Sequence, residues 1–178
     1  MLKPLALDRV YRSIEPGPVV LLLTRAEGGA ANVMTMSWHM MVDFVPPQIA
    51  CVVSAANHSF AALQATRACV IAIPPAERAA DVVAIGNCSG RDTDKFARLG
   101  LATRPASKVD APLLEGMIAN LECKVVDTRL VSKFNLFVLQ VVAAWRETSL
   151  RGAKTMHHQG YGAFVLDGER IKLRSAKP

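Results

Sequence analysis

The chain has 178 residues, of which 51% are hydrophobic and 20% charged. A chain of this length buries roughly 70% of the surface it would expose unfolded, so one domain over residues 1–178 needs no disulfide or metal staple. The 21 Lys and Arg against 15 Asp and Glu leave a net charge of +6, but the basic residues are scattered and no aromatic stacking platform accompanies them, which argues against nucleic acid.

In chain order, Val19–Thr24 reads as an apolar strand, Ala26–Ala30 as a turn carrying EGG, and Asn32–Met40 as the return strand of a hairpin. Alternation puts Asn32, Met34, Met36 and Trp38 on one face of the return strand, with Val33, Thr35, Ser37 and His39 on the other. A loop with two Pro leads to a buried strand at Ile49–Ser54. The period then changes. NHSFAALQATR fits a short helix with Asn57 or Ser59 as its N-cap. ACVIAIP is a further buried strand, and AERAADVVAIGN a second helix that stops at Gly86–Asn87. CSGRDTDKFARLGL holds a small-residue turn and a helical turn over Asp92–Leu99. ANLECKVVDTRL and FNLFVLQVVAAWRE read as long strands, and GAFVLDGERIKL as a hairpin turning at Asp167–Gly168. Six or more strands against three short helices, with no βαβ repeat, predict a mainly β protein: a β-barrel with short flanking helices.

The four Cys include no CxxC pair, and Cys51, Cys69 and Cys123 sit in apolar strands where a free thiol acts as a small hydrophobe. No signal peptide is visible, so a reduced, cytoplasmic setting is expected. Apolar runs such as Val19–Leu23 are too short to span a membrane. A mean hydropathy of +0.24 favours a buried interface between two copies.

Four stretches carry polar chemistry. NVMTMSWHM interleaves soft Met side chains with Asn, Thr and Ser; it is either a barrel strand filled by Met or the wall of an aromatic cofactor site. Ser54, Asn57, His58 and Ser59 cluster where a strand gives way to a helix, which is either a plain cap or an anion site built from free N–H groups and the helix dipole. GNCSGRDTDKF brackets small residues with Gly and adds Arg91 and Lys95, which share one face if the segment from Asp92 is helical. The alternative there is a surface loop with Asp92 as cap and Asp94 paired with Arg98. Adjacent His157 and His158 would point to opposite strand faces, and no ligand stands at metal spacing, so a metal site is not expected. A His or Tyr161 at a cofactor rim is the stronger reading. Cys88 is either a small loop residue or a thiol activated by nearby cations. No GxSxG, GxGxxG or Walker motif occurs, and no carboxylate pair stands out.

In this order and spacing, NVMTMSW after a Gly turn, VPPQIACVVS, NHSFAAL, NCSGRDTDKF, APLLEG and NLECKV resemble the flavin reductase-like family, which includes flavoredoxin-like proteins, over about residues 10–170. The resemblance implies a Greek-key-like FMN-binding split barrel and a homodimer with flavin near the interface. It implies that Asn32, Met34 and Thr35 meet the isoalloxazine, that Ser54 and Asn57–Ser59 follow the ribityl chain and phosphate, and that Ser89, Arg91 and Lys95 close over the phosphate. The family pattern often has Arg or Lys, then Tyr or His, then Thr at that helix start; here the stretch is Asn57-His58-Ser59. His157, His158 or Tyr161 would approach the flavin from either subunit. The chemistry would rest on the flavin, with no catalytic side chain. The implied activity is transfer from NAD(P)H through FMN to free flavin or a partner protein such as a monooxygenase. The alternatives are an electron carrier without NAD(P)H turnover and a non-redox flavin holder.

Overall fold

The computed structural model describes residues 18–174. Strands β1 (Val20–Arg25), β2 (Ala31–Met36), β3 (His39–Phe44) and β4 (Pro47–Val52) precede helix α1 (His58–Thr66) and β5 (Ala68–Ile73). A 3-10 turn (Ala76–Arg78) then leads into α2 (Ala79–Gly86), which is followed by α3 (Lys95–Leu99) and the two-residue strands β6 (Thr103–Arg104) and β7 (Leu113–Leu114). Strand β8 (Ala119–Asp127), α4 (Val131–Phe134), β9 (Leu136–Arg146), β10 (Met156–Gly160) and β11 (Ala163–Leu166) complete the described chain.

Seven strands form one antiparallel sheet in the order β2-β1-β5-β8-β9-β4-β3. Its two edge strands are consecutive in the chain, joined only by Ser37 and Trp38. A flat sheet of seven strands would hold its edges roughly 29 Å apart, whereas the three Cα steps from Met36 to His39 reach about 11 Å. The sheet therefore curls until its edges meet at that link, giving a barrel split between β2 and β3.

The sequence supplies both faces of this curled sheet. Val20, Leu22, Met36, Cys51, Cys69, Cys123, Phe137 and Leu139 fill the interior, with Leu63 and Phe60 of α1 packed against them. Leu21, Leu23, Val33, Val70 and Ala72 point outward and are covered by Val82 and Ile85 of α2, with Leu101, Leu114, Met117 and Met156. This explains why β1 and β5 are apolar at almost every position: both of their faces are buried. Burial raises the Cys51 thiol to about 12, with Cys123 adding to it. A contact with Cys123, and then burial, holds Cys69 well above its ordinary value. These interior thiols are packing groups.

Four boundaries differ from expectation. The return strand read over Asn32–Met40 ends at Met36, because its partner β1 begins at Val20, opposite Met36; His39 and Met40 open β3, which pairs with β4. The strand expected at Ile49–Ser54 runs over Pro47–Val52, since the hairpin from β3 already pairs Pro47 with Phe44. The helical turn expected over Asp92–Leu99 starts at Lys95, with Asp94 at its N-cap accepting from Ala97 N at 3.1 Å. Asp92 is therefore not the cap, and Asp94 is committed to the backbone. The last hairpin turns at Tyr161–Gly162, where both residues hold positive φ (53° and 76°). Asp167 lies beyond it and accepts from Thr155 N (2.7 Å), Thr155 Oγ1 (3.0 Å) and His157 Nε2 (3.0 Å).

On the outer face of β8, the fully buried Glu122 carboxylate accepts from Ser107 N and Oγ, Lys108 N and Trp145 Nε1. Burial by itself would raise this carboxyl, but those four donors outweigh it and hold it below its usual value. A carboxylate depressed in the folded state adds stability above its unfolded pKa and loses it as pH falls through the folded value. Glu122→Gln leaves one of these donors unmatched and should lower unfolding free energy at neutral pH by about 1–3 kcal/mol. Denaturant unfolding should also show a shallower loss of stability in acid, below the ordinary carboxylate pKa, than in the parent. Superimposable acid profiles would remove the carboxylate from this role.

Candidate functional site

The split brings four segments together: β2, the turn before α1, the loop from α2 to α3, and the β10–β11 hairpin. The first three enclose a cleft of about 350 Å³. Asn32 Nδ2 donates to Ser59 Oγ at 2.8 Å and ties β2 to the first turn of α1. Ala56 N donates to Ser54 Oγ, and Asn57 N to Ser54 O, shaping the turn that precedes the helix. Asn57 occupies the N-cap position but makes no side-chain cap bond, and no acidic residue stands in the first turn. The helix end thus presents its positive pole toward the cleft without a carboxylate beside it.

The opposite wall is the loop Gly86–Gly90. Here Arg91 N donates to Ser89 Oγ and Asp92 N to Ser89 O. A Cβ on Gly90 would lie 2.1 Å from Asn32 Oδ1 and 2.8 Å from His58 Cδ2, so only glycine lets the loop approach β2 and α1 this closely. Lys95 closes the cleft from α3. It is 4% exposed, and its ammonium donates to Ile85 O at 2.8 Å. An ammonium carries three N–H donors, and Ile85 O takes one. Burial pushes the Lys95 pKa down, with Cys88 acting in the other direction. Cys88 also lines the cleft and donates its S–H to Ala84 O at 3.3 Å.

A second cleft of about 320 Å³ adjoins the first through Thr35, Gly86 and Asn87. Its remaining walls are Val19, Ser37, Val82, Val83, His158, Gly162 and Phe164. Apart from His158, no lining residue is titratable. Thr35 Oγ1 donates to Val82 O at 2.7 Å, which fixes α2 on β2. Val19 N donates to Met156 O at 2.7 Å, holding the terminal hairpin on the start of β1. The His158 and Phe164 rings lie 5.3 Å apart. His157, on the other face of β10, meets Asp167 instead.

Of the residues singled out by sequence, Asn32, Met34, Thr35, Asn57, His58, Ser59, Ser89 and Lys95 line the first cleft together. Ser54, Arg91 and Tyr161 line neither cleft. Ser54 shapes the turn behind the cleft. Arg91 is exposed and precedes α3, so it does not share a helix face with Lys95. Tyr161 is 94% exposed at the hairpin tip. Sequence reasoning missed Ser37, Val82, Val83, Asn87 and Phe164. The pairs Val82/Gly86 and Val83/Asn87 fall one helical turn apart on α2; nothing in the sequence said which face of that helix meets β2.

A family model, Flavin reductase like domain, matches residues 11–164. The chain belongs to this family. The uncharacterized protein YddH of Escherichia coli (strain K12) is 28% identical over 94% of this chain and 96% of its own length. Flavoredoxin of Desulfovibrio vulgaris (Miyazaki F) superposes with a TM-score of 0.87 at 22% identity, covering 99% of each chain. The FMN-binding domain of a flavin reductases-like enzyme from Shewanella baltica OS155 gives a TM-score of 0.83 at 24% identity, covering 96% of each chain. These two structures share the split-barrel fold.

The tight seat of Gly90 is open to test. Gly90→Ala should destabilise the folded chain by about 1–3 kcal/mol, the usual cost of overpacking, measured by denaturant unfolding. Unchanged stability would mean that the loop stands off from Asn32.

Proposed function

We propose that this chain, as one unit over residues 1–178, binds FMN across the two adjoining clefts and works as a flavin reductase-like oxidoreductase. The observation that carries the reading is the division of chemistry between the clefts. FMN has an anionic phosphate tail and a flat, uncharged ring with hydrogen-bonding edges. The first cleft offers a buried ammonium, an uncapped helix N-terminus and a Gly-rich loop, a set that suits a phosphate. The second offers Val82, Val83 and Phe164 as apolar walls, with Thr35, Ser37 and Asn87 as edge partners, a set that suits a flat neutral ring. The FMN binding of the Shewanella protein supports the same ligand.

In this reading Lys95, Asn57, His58, Ser59 and Ser89 hold the phosphate end. Thr35 sits where the two clefts meet, Met34 lines the first, and His158 borders the ring. Arg91 lends long-range positive charge at most, because it is exposed outside both clefts. Bound FMN would supply the hydride and electron chemistry. The protein's part is to exclude water from the ring with Val82, Val83 and Phe164 and to hold the ring edge through Thr35, Ser37 and Asn87. The proposed donor is NAD(P)H. The proposed acceptor is free flavin or a partner protein, such as a monooxygenase. The four thiols are all free, which fits a reduced cytoplasmic setting. Among the described residues no helix is long and apolar enough to cross a membrane.

The proposed homodimer is supported by the β3–β4 hairpin, where Met40, Met41, Val42, Phe44 and Val45 are all exposed on an edge of the sheet. Sedimentation should give twice the chain mass; a monomer at micromolar concentration would overturn the dimer.

The deciding experiment is the visible spectrum of the purified protein under anaerobic NADH or NADPH. Flavin bands that bleach support the reductase. Bands that persist favour the electron carrier or the passive holder. A colourless chain that takes up no FMN would overturn the reading. Lys95→Ala should weaken FMN binding by about 1–3 kcal/mol with the fold retained; equal affinity would remove Lys95 from the site.

A further inference from the structure

The β10–β11 hairpin walls the second cleft with His158, Gly162 and Phe164. It is a two-stranded sheet of its own, outside the seven-stranded one. Two strands alone are marginally stable in water, so this wall needs a further hold. Its β10 side is fastened to the rest of the molecule: Met156 is fully buried, Val19 N donates to Met156 O, and Ala76 N donates to Lys154 O at 2.8 Å. Its β11 side is held less. Ala163–Leu166 pairs with β10 alone, Val165 and Leu166 are exposed, and Phe164 is half-buried where it packs toward the apolar cluster under α2.

The end of β11 runs into Asp167, and there the carboxylate closes the hairpin. One oxygen accepts from Thr155 N at 2.7 Å and the other from His157 Nε2 at 3.0 Å. Thr155 Oγ1 lies 3.1 and 3.0 Å from the two. Every one of these donors belongs to β10 or to the residue just before it. Asp167 itself lines neither cleft.

The clamp also decides which histidine meets the cleft. His157 and His158 are neighbours on a strand, so their side chains leave opposite faces. A slip of one residue between β10 and β11 would exchange them. The ladder is interrupted between His158 and Gly160, so pairing near the turn does little to resist such a slip. With His157 taken by Asp167, Val165 stands opposite His157 and Phe164 opposite His158. His158, which has no hydrogen-bond partner among the described residues, is then left on the cleft beside Phe164.

We propose that Asp167 is a positioning residue for the flavin ring: by holding Thr155 and His157 it fixes the hairpin and its register, and so keeps His158 and Phe164 on the second cleft without touching the ligand. The proposal rests on the flavin reading of that cleft.

Two measurements on the full chain test it, and the first needs no flavin. In amide hydrogen exchange, Asp167→Ala should speed exchange over residues 157–166 about tenfold and leave β1 and β5 as in the parent. In equilibrium dialysis, the same variant should raise Kd for FMN and for riboflavin by one common factor of about ten, and the visible bands of the bound flavin should shift. Lys95→Ala should raise only the FMN value, because riboflavin has no phosphate. Should the alanine variant misfold, Asp167→Asn, which keeps an oxygen for Thr155 N, should show the same pattern at smaller size. Unchanged exchange in the hairpin overturns the proposal, as does faster exchange throughout the barrel, which marks a global loss of stability. A rise in Kd confined to FMN also overturns it. A parent that takes up neither flavin would overturn the flavin reading and this proposal with it. A parent that binds both, with Asp167→Ala binding them equally well, overturns this proposal alone.

Discussion

Two residues, Ser37 and Trp38, join strands that lie at opposite ends of one seven-stranded sheet. That short link is the constraint from which the rest of the molecule follows. The curl it imposes turns one apolar face inward as a barrel and the other outward toward α2 and the later loops. It also leaves a split, because β2 and β3 approach at the link and then diverge toward different partners. Backbone at such an edge is not used up by a neighbouring strand, and side chains on either side of it face open space. Both clefts of the proposed flavin site border β2, and Ser37 lines the second of them.

Around that split the protein sorts its polar groups by kind. Lys95, the start of α1 and the Gly86–Gly90 loop gather donors and positive charge at one end. The other end is kept almost free of titratable groups. Burial of Lys95 against Ile85 O keeps the ammonium in place but lowers its preference for the charged form, so an anion beside it would relieve part of the cost of burying it. A phosphate and an aromatic ring have opposite solvation needs, and a single uniform pocket would serve one of them poorly. The contact between Thr35 and Val82 O couples the two halves, since it fixes α2 on β2 where the clefts divide, while Asn32 and Ser59 tie β2 to α1 within the first cleft.

Much of this was legible in the residues. The apolar runs at Val20–Leu23 and Cys69–Ala72 announced strands buried on both faces. The interleaved Met, Thr and Asn of β2 offered two readings, a barrel strand filled by Met or a cofactor wall, and Asn32, Met34 and Thr35 do line a cleft. Other features were not. Arg91 and Lys95 looked equivalent as two cations one helical turn apart, yet Asp94 caps α3 and starts it three residues later than expected, leaving Arg91 outside. Ser37 to Met40 continued the alternation of β2, yet the register with β1 runs out at Val20. Val82, Val83 and Asn87 gave no sign of their role, because the sequence of a helix fixes its faces but not which face a distant strand will meet.

By itself, the sequence determined the element types, the two-faced burial of the central strands and the stock of residues from which a site could be made. These follow from period, β-propensity and turn chemistry, which act over a few neighbouring positions. Only the tertiary structure decided which of those residues share a cleft, which cation is buried, and which carboxylates are already spent. Those outcomes depend on strand order and on helix docking, and therefore on contacts between positions far apart in the chain.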